Sequence, residues 1–344
     1  MQSGNSTEIP FLTIGIASYN YAKYLPKAFN AIKNQSFKDY EVLYCDDGST
    51  DNSVTVIRQL INNNHEMRIR LIEGANVGVM GNKNRILDNA KGKYLMICDA
   101  DDEMLPECLS VLCQKAIETD ADQVVGAFQQ TDENGDIIQI QELPSKPIKW
   151  TWGAHHATIY KMKIIQDNHI FFDKTAFPDD VYFNMIFHKY SGNTEFINKV
   201  VYSWNMHSDS TSAAKGLSDK WHGYSLLKSA MSYIEPIFTE MIDHERDQVE
   251  YMAIKIYSMA ILYRNMNISF SKFWNEYTSM SKLMLRNFPN YRKNSYARSF
   301  KGKGAVRKFT ARVIWGVVLS ERAHLIKGIL FIYWLIGRKK KITV

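Results

Sequence analysis

Metal-binding cysteine patterns are missing from this sequence. Its four cysteines, Cys45, Cys98, Cys108 and Cys113, have no zinc-ligand spacing. Cys45 and Cys98 close apolar runs, which reads as buried free thiols in a reducing compartment. The opening MQSGNSTEIP has neither a basic start nor an apolar stretch, so no signal peptide is expected. There is no internal repeat and no low-complexity linker. IGIASYNYAKYL near the N-terminus lacks the Gly-rich, basic phosphate loop that a nucleotidyltransferase would carry. No nucleic-acid partner is expected.

What is present describes a folded protein. The 344 residues suffice for one large domain or two ordinary ones, and 45% are hydrophobic against 23% charged. Aromatics at 12% suit a protein that handles sugars or sits at an interface. The net charge of +6 hides an asymmetry. From Lys282 onward there are sixteen Lys/Arg and one acid, Glu321, a net of +15, which leaves 6 − 15 = −9 for the rest. A basic tail on an acidic body points to an anionic surface as the partner of the tail.

The first 130 residues alternate strand and helix signals. FLTIGIAS, EVLYCDD, RIRLIE, KYLMICDA and QVVGAFQQ read as strands. Between them, YNYAKYLPKAFNAIKNQS, NSVTVIRQLINN (capped by Asp51 or Ser49), VMGNKNRILDNAKG (closed by Gly92) and PECLSVLCQKAIETD read as helices. This alternation predicts a mostly parallel sheet with helices on both faces, with ligands beyond the carboxyl ends of the strands. Residues 131–212 are mixed, and 216–290 are helical.

Both acidic clusters, Asp46-Asp47 and Asp99 to Glu103, fall at such strand ends. Capping the helix near Pro106 would need only one acid. A calcium EF-hand fails because Met104 and Ser110 stand where Gly and Glu are required. A phosphatase-type Asp-x-Asp-x-Thr fails at Glu103. A divalent-cation site facing a phosphate-bearing ligand remains, with Mg2+ or Mn2+ as the ion.

DDGSTDNS (46–53), NVGVMGNKN (76–84), GKYLMICDADD (92–102) and PDDVYFNMIF (178–187) come in an order and spacing that resemble the GT-A glycosyltransferases of family 2, over roughly residues 9–212. The resemblance implies an inverting nucleotide-sugar transferase, with UDP as the commonest nucleotide. Ala17, Ser18, Tyr19 and Asn20, with Asp46 and Asp47, would hold the nucleoside. Asn76 and Gly78 would shape a loop over it, and Lys83, where the family often has Arg, would balance phosphate charge.

Asp99-Ala100-Asp101-Asp102 is the DxD motif. Asp99 would contact ribose or cation, Asp101 would ligate the cation and Asp102 would face the donor sugar. A lone His is ordinarily a core or surface residue, but His207 resembles the His that completes the family's cation site. Asn205 stands where the family commonly has Arg. Asp180 would be the general base, although Asp179 or Asp180 could be only a helix cap. Trp150, Trp152, His155 and His156 are candidates for framing the acceptor, as is Asp179; a core role suits the tryptophans equally. His155 and His156 are not expected to form a metal pair, since adjacent strand residues point apart. A nucleotidyltransferase and an inactive transferase-like binding module are the rival readings.

The expected organisation is a GT-A domain over 1–215, a helical region over 216–300 and a membrane-associating tail over 301–344. GILFIYWLIG (328–337) is too short to span a bilayer. Val306, Phe309, Val313 and Val317 share a face, with Arg307, Lys308 and Arg312 off it, and RKKK (338–341) follows. This pattern predicts an interfacial anchor on an anionic cytoplasmic leaflet, placing the chain on the inner face of the cell membrane near a lipid-linked or surface-glycan acceptor. Packing of the same residues on the helical region is the alternative.

Overall fold

The computed structural model describes residues 9–207, 223–262 and 268–339. The signal-peptide expectation at 1–8, the boundary at 215/216 and Lys340-Lys341 lie outside the described residues. The chain forms two compact units. Among the described residues the first comprises 9–143, 154–174 and 187–207, and the second comprises 144–153, 175–186, 223–262 and 268–339. The stretches 144–153 and 175–186, expected from sequence in the first domain, belong to the second unit.

The first unit is built on one mixed sheet. Strands β1 (Leu12–Ser18), β2 (Tyr40–Asp46), β3 (Arg68–Glu73) and β4 (Tyr94–Asp99) pair in parallel in the order β3-β2-β1-β4. The continuous apolar runs of β1, β2 and β4 are buried, as parallel strands covered on both faces require. The edge strand β3 carries Arg68 and Arg70, which suits an edge. Helices α1 (Leu25–Lys33), α2 (Ser53–Asn62) and α3 (Gly78–Asn89) make the crossovers. Asp51 accepts the backbone N–H of Ser53 at 2.9 Å from outside α2, whereas Ser49 donates its hydroxyl to Asp46. Helix α3 ends before Gly92, at Asn89.

Beyond β4 the simple alternation breaks. Strand β5 (Glu103–Met104) and helix α4 (Cys108–Thr119) lead to β6 (Gln123–Thr131), β7 (Ile137–Gln141), β8 (Thr158–Lys161), helices α5 (Met162–Asp167) and α6 (Asp179–Tyr190), and β9 (Thr194–Asn205). Strand β8 wedges between β4 and β6, antiparallel to both, so β6 runs the same way as β4 without touching it. β9 pairs in parallel with β6, and β5 pairs antiparallel with β9, Glu103 opposite Ser203. A buried carboxylate knits the sheet. Glu41 accepts from Thr13 at 2.7 Å, from Arg70 at 2.9 and 3.1 Å, and from the Lys91 N–H at 2.9 Å. The four cysteines are buried and free, and burial pushes the Cys45 thiol up to about 12.

The second unit is helical: α7 (Gly223–Glu240), α8 (Asp243–Leu262), α9 (Phe270–Asn287), α10 (Lys308–Arg322) and α11 (Ile326–Lys339). Trp150 donates its indole N–H to Glu245 at 3.2 Å, and the buried Lys255 donates to the Thr151 carbonyl at 3.1 Å. Together they fasten the 144–153 stretch to α8. Val306 and Val317, expected on a lipid-facing surface, are core residues here, together with Ala311, Ile314 and Val318. The reason lies in Glu321, whose fully buried carboxylate accepts from Tyr257 at 2.6 Å, Tyr277 at 2.7 Å, Tyr291, and Arg292 at 3.1 Å. Those four donors pull α10 inward. Among the described residues no helix is long and apolar enough to cross a membrane.

Candidate active site

The carboxyl ends of β1, β2 and β4 lie level. Ser18 pairs with Asp46, and Ala17 with Asp99. The loops leaving them are tied together. Asn20, at φ 59°, accepts the N–H groups of Thr50 at 2.8 Å and Asp51 at 3.2 Å, and its own N–H donates to the Ser49 hydroxyl at 2.9 Å. Asp46 accepts the Ser49 N–H and hydroxyl at 2.8 and 2.6 Å. Asp47 accepts the N–H groups of Val77 and Gly78 at 2.8 and 2.9 Å and Arg85 at 3.0 Å. It thus occupies the electropositive start of α3, where an anion is stabilised.

Both carboxylates expected on the nucleoside therefore hold the loops, while Tyr19, Asn20 and Asn76 stay exposed. Gly48, at φ 74°, allows the second loop to pass the third: a Cβ there would lie 3.1 Å from the Asn76 nitrogen.

The DxD turn receives its neighbours from β9. Nε2 of His207 lies 2.7 Å from Oδ2 of Asp101, and its Nδ1 lies 2.9 Å from the Tyr24 hydroxyl, with the two rings stacked 4.3 Å apart. Asn205 donates its side-chain N–H to the Asp101 carbonyl at 2.7 Å and its backbone N–H to Asp102 at 3.0 Å. The residue standing in place of the family's Arg therefore shapes the turn. Asp102 is buried and also accepts from the Tyr202 hydroxyl at 2.9 Å. It is turned inward in this structure, where it positions the turn, rather than outward toward a sugar.

Three acids this close shift one another. Burial and then the Asp99 charge raise Asp101, against the opposing pull of His207. Burial, Asp99 and Asp101 hold Asp102 well above the ordinary carboxylate range. Burial would also lift Asp99, but the His155 and His156 imidazoles and the Lys83 charge outweigh it and keep that carboxyl well below the usual range.

His155 and His156 correct an expectation. They precede β8 in a turn in which Ala157 has φ 52°, so strand alternation does not apply. Their rings stack 4.7 Å apart, and both Nε2 atoms approach Oδ2 of Asp99, at 3.7 and 3.8 Å. With Asp99 they bring three potential ligand atoms within 4.8 Å of one another. His156 also stacks on Trp204 at 5.1 Å. Lys83 is buried, its Nζ 5.2 Å above the Phe172 ring, and acts on the site through its charge on Asp99.

Trp152, Asp179 and Asp180 belong to the second unit. Trp152 is buried, and Trp150 is part of the helical core. Asp179 and Asp180 lie in the first turn of α6, where the helix dipole favours a negative charge. Sequence reasoning missed Tyr24, Arg85 and Tyr202. Arg85, two residues after Lys83 in NKNR, had a visible signal; the tyrosines had none.

Known proteins resemble the chain in sequence and in fold. The chain is 27% identical over 264 residues to the hyaluronan synthase of Pasteurella multocida, covering 72% of this chain and 26% of that protein. It is 37% identical over 110 residues to the GalNAc(5)-diNAcBac-PP-undecaprenol beta-1,3-glucosyltransferase of Campylobacter jejuni, covering 32% of this chain and 36% of that one. The chain thus spans about a quarter and about a third of these two relatives. A crystal structure of S. aureus TarS 1-349 in complex with UDP-GlcNAc superposes with a TM-score of 0.68 at 14% identity, covering 91% of this chain and 92% of that one, which makes the fold GT-A. The family model for Glycosyl transferase family 2 matches residues 13–191, from β1 to just past the end of α6, and by that match the chain belongs to glycosyltransferase family 2.

Proposed function

We propose that this glycosyltransferase moves a sugar from a UDP-linked donor to an acceptor hydroxyl, inverting the anomeric carbon. The Asp101–His207 pair at the level strand ends carries this reading. A carboxylate oxygen and an imidazole nitrogen, with further carboxylates beside them, suit Mn2+ or Mg2+ facing phosphate oxygens. Asp101 and His207 would hold the ion. When bound, it neutralises charge on the departing nucleoside diphosphate.

The chain's own residues do the remaining work. Ala17, Ser18, Tyr19 and Asn20, with Asn76 and Gly78, frame the nucleoside. Asp46 and Asp47 keep those loops in shape, and Lys83 adds positive charge beside Asp99. His155 and His156 orient Asp99, while Asp102 fixes the turn beneath Asp101. Ala100 gives the motif its small central residue. On the acceptor side, Trp152 and Asp179 accompany Asp180, which takes the hydroxyl proton late, as bonding to the anomeric carbon develops. Direct displacement needs no nucleophilic Ser or Cys.

TarS with UDP-GlcNAc supports the donor class. The undecaprenol-linked acceptor in the name of the Campylobacter relative supports a lipid-linked or surface-glycan precursor, met at the anionic inner face of the cell membrane. The test is a panel of UDP- and GDP-sugars given to the full chain with Mn2+. Release of free UDP is expected, faster with the right acceptor. Release of pyrophosphate, or undiminished activity in EDTA, would sink the reading.

A further inference from the structure

The apolar residues of α11 divide between two sides. Leu330 and Trp334 are buried in the helical core, and Trp334 donates its indole N–H to the Ile268 carbonyl at 2.8 Å. Facing away, Ile329, Ile332, Leu335 and Ile336 are 41–57% exposed, Phe331 lies at the edge with its ring against Phe270, and Leu325, just before the helix, is 62% exposed. Leu325, Ile329, Ile332 and Ile336 recur at a spacing of four, three and four residues, which is one helix face. A helix apolar on all sides is ordinarily covered on all sides. Here one half is packed and the other meets water, the mark of an interaction surface.

Charge identifies what covers it. Of the sixteen Lys/Arg from Lys282 onward, Lys308, Arg312, Arg322 and Lys327 are exposed on or beside these last two helices. The single acid of the same stretch, Glu321, is fully buried and bound by three tyrosines and Arg292. Among the described residues of α10 and α11, every exposed Lys, Arg, Asp or Glu is therefore a cation. Two copies meeting on this face would bring like charges together; an anionic bilayer would neutralise them. The 14-residue helix is about 21 Å long, short of the ~30 Å hydrocarbon thickness, so it lies on the bilayer instead of crossing it.

We propose that α11 docks its outward face, Leu325, Ile329, Ile332 and Ile336, into the interface of an anionic membrane, with exposed lysines and arginines at the headgroups. The inference rests on the membrane setting of the proposed function and names the surface that makes the contact. It narrows the anchor expected over 301–344 to its 325–336 part, since on the α10 face Val306 and Val317 are buried and only Phe309 is strongly exposed.

Because α10 and α11 both supply core residues, truncation would damage the fold, so point substitutions of exposed residues make the test. The full chain is floated with phosphatidylcholine vesicles with and without phosphatidylglycerol. Wild type should rise with the anionic vesicles, less so in high salt. The double substitution Ile332→Asp, Ile336→Asp should lower the bound fraction at least about tenfold, with unchanged melting and unchanged thermal stabilisation by UDP. Lys308→Glu with Arg322→Glu should weaken the preference for anionic lipid. Wild type that never floats, or an Ile332→Asp, Ile336→Asp protein that floats equally well, overturns the proposal. So does a wild-type dimer that this variant splits without any vesicle binding. Vesicle binding without UDP stabilisation supports the docking surface and counts against the donor assignment instead.

Discussion

The DxD turn of the first unit and Glu321 of the second treat buried acids in opposite ways. In the first, Asp99, Asp101 and Asp102 stand within four residues; the Asp99 charge raises the other two carboxyls, while His155, His156 and Lys83 hold Asp99 itself low. Asp101 shares its short contact with His207, and only Asp102 is bonded inward on both oxygens. In the second, Glu321 stands alone and receives four donors. A lone buried carboxylate with every lone pair answered holds helices together. A crowd of carboxylates at a strand end leaves repulsion that a cation can relieve. The contrast sets an acid that holds architecture beside acids whose proposed role is chemical.

The contrast can be broken or sharpened by substitution, beginning where the effect is largest. Asp180→Asn should lower kcat by about 10²–10⁴-fold in a transfer assay with UDP affinity held; joint loss of UDP affinity and melting temperature would make Asp180 a helix-start residue only. Asp101→Asn should lower transfer by up to a similar factor and remove the added stabilisation by Mn2+ with UDP, yet leave the apo melting temperature near wild type, since it removes repulsion along with one bond.

Glu321→Ala should do the reverse of Asp101→Asn, costing about 3–5 kcal/mol in urea unfolding because three tyrosines and Arg292 lose their acceptor. Equal melting losses in the Asp101 and Glu321 variants would erase the distinction. Glu41→Gln should cost about 2 kcal/mol near neutral pH. Burial raises the Glu41 carboxyl, but Arg70, Thr13 and the Lys91 N–H outweigh burial and hold it below its ordinary 4.5. Its stabilising effect is therefore fully present above that value and fades as pH falls through the lower folded value, so denaturation curves of wild type and variant should converge in acid. Gly78→Ala, at φ 80° with open space around the Cβ, should cost only about 1 kcal/mol from backbone strain, read in the same urea assay.

The parallel half of the sheet was legible because LTIGIAS, EVLYC and YLMIC are unbroken apolar runs ending in polar turns, and such strands can only be central. The pairing of Asp101 with His207 was legible only through family resemblance, since the contact spans 106 residues. The wedge formed by β8 was hidden: TIYK is four residues long, and its antiparallel place between β4 and β6 is set by long-range pairing. The stacked histidines were misjudged because local alternation says nothing about a turn at positive φ. For α10, periodicity showed an apolar face but not what covers it. The tyrosines around Glu321 come from α8, α9 and the turn after α9, and no local pattern announces that they converge.

The chain passes from the first unit to the second at 144, back at 154, out again at 175 and back at 187 before its last departure. The modules are therefore interleaved in the gene and cannot be exchanged as cassettes. A recombinant that keeps everything up to residue 207 and takes its helices from elsewhere would strand Trp150 without Glu245 and Thr151 without Lys255. The stretch bearing Asp180 would lose its support in the same event, as Phe177 would lose the Ser229 hydroxyl that accepts its N–H. Change in the stretch bearing Asp180 must then come by point substitution, because neither unit can be swapped whole without breaking these bonds.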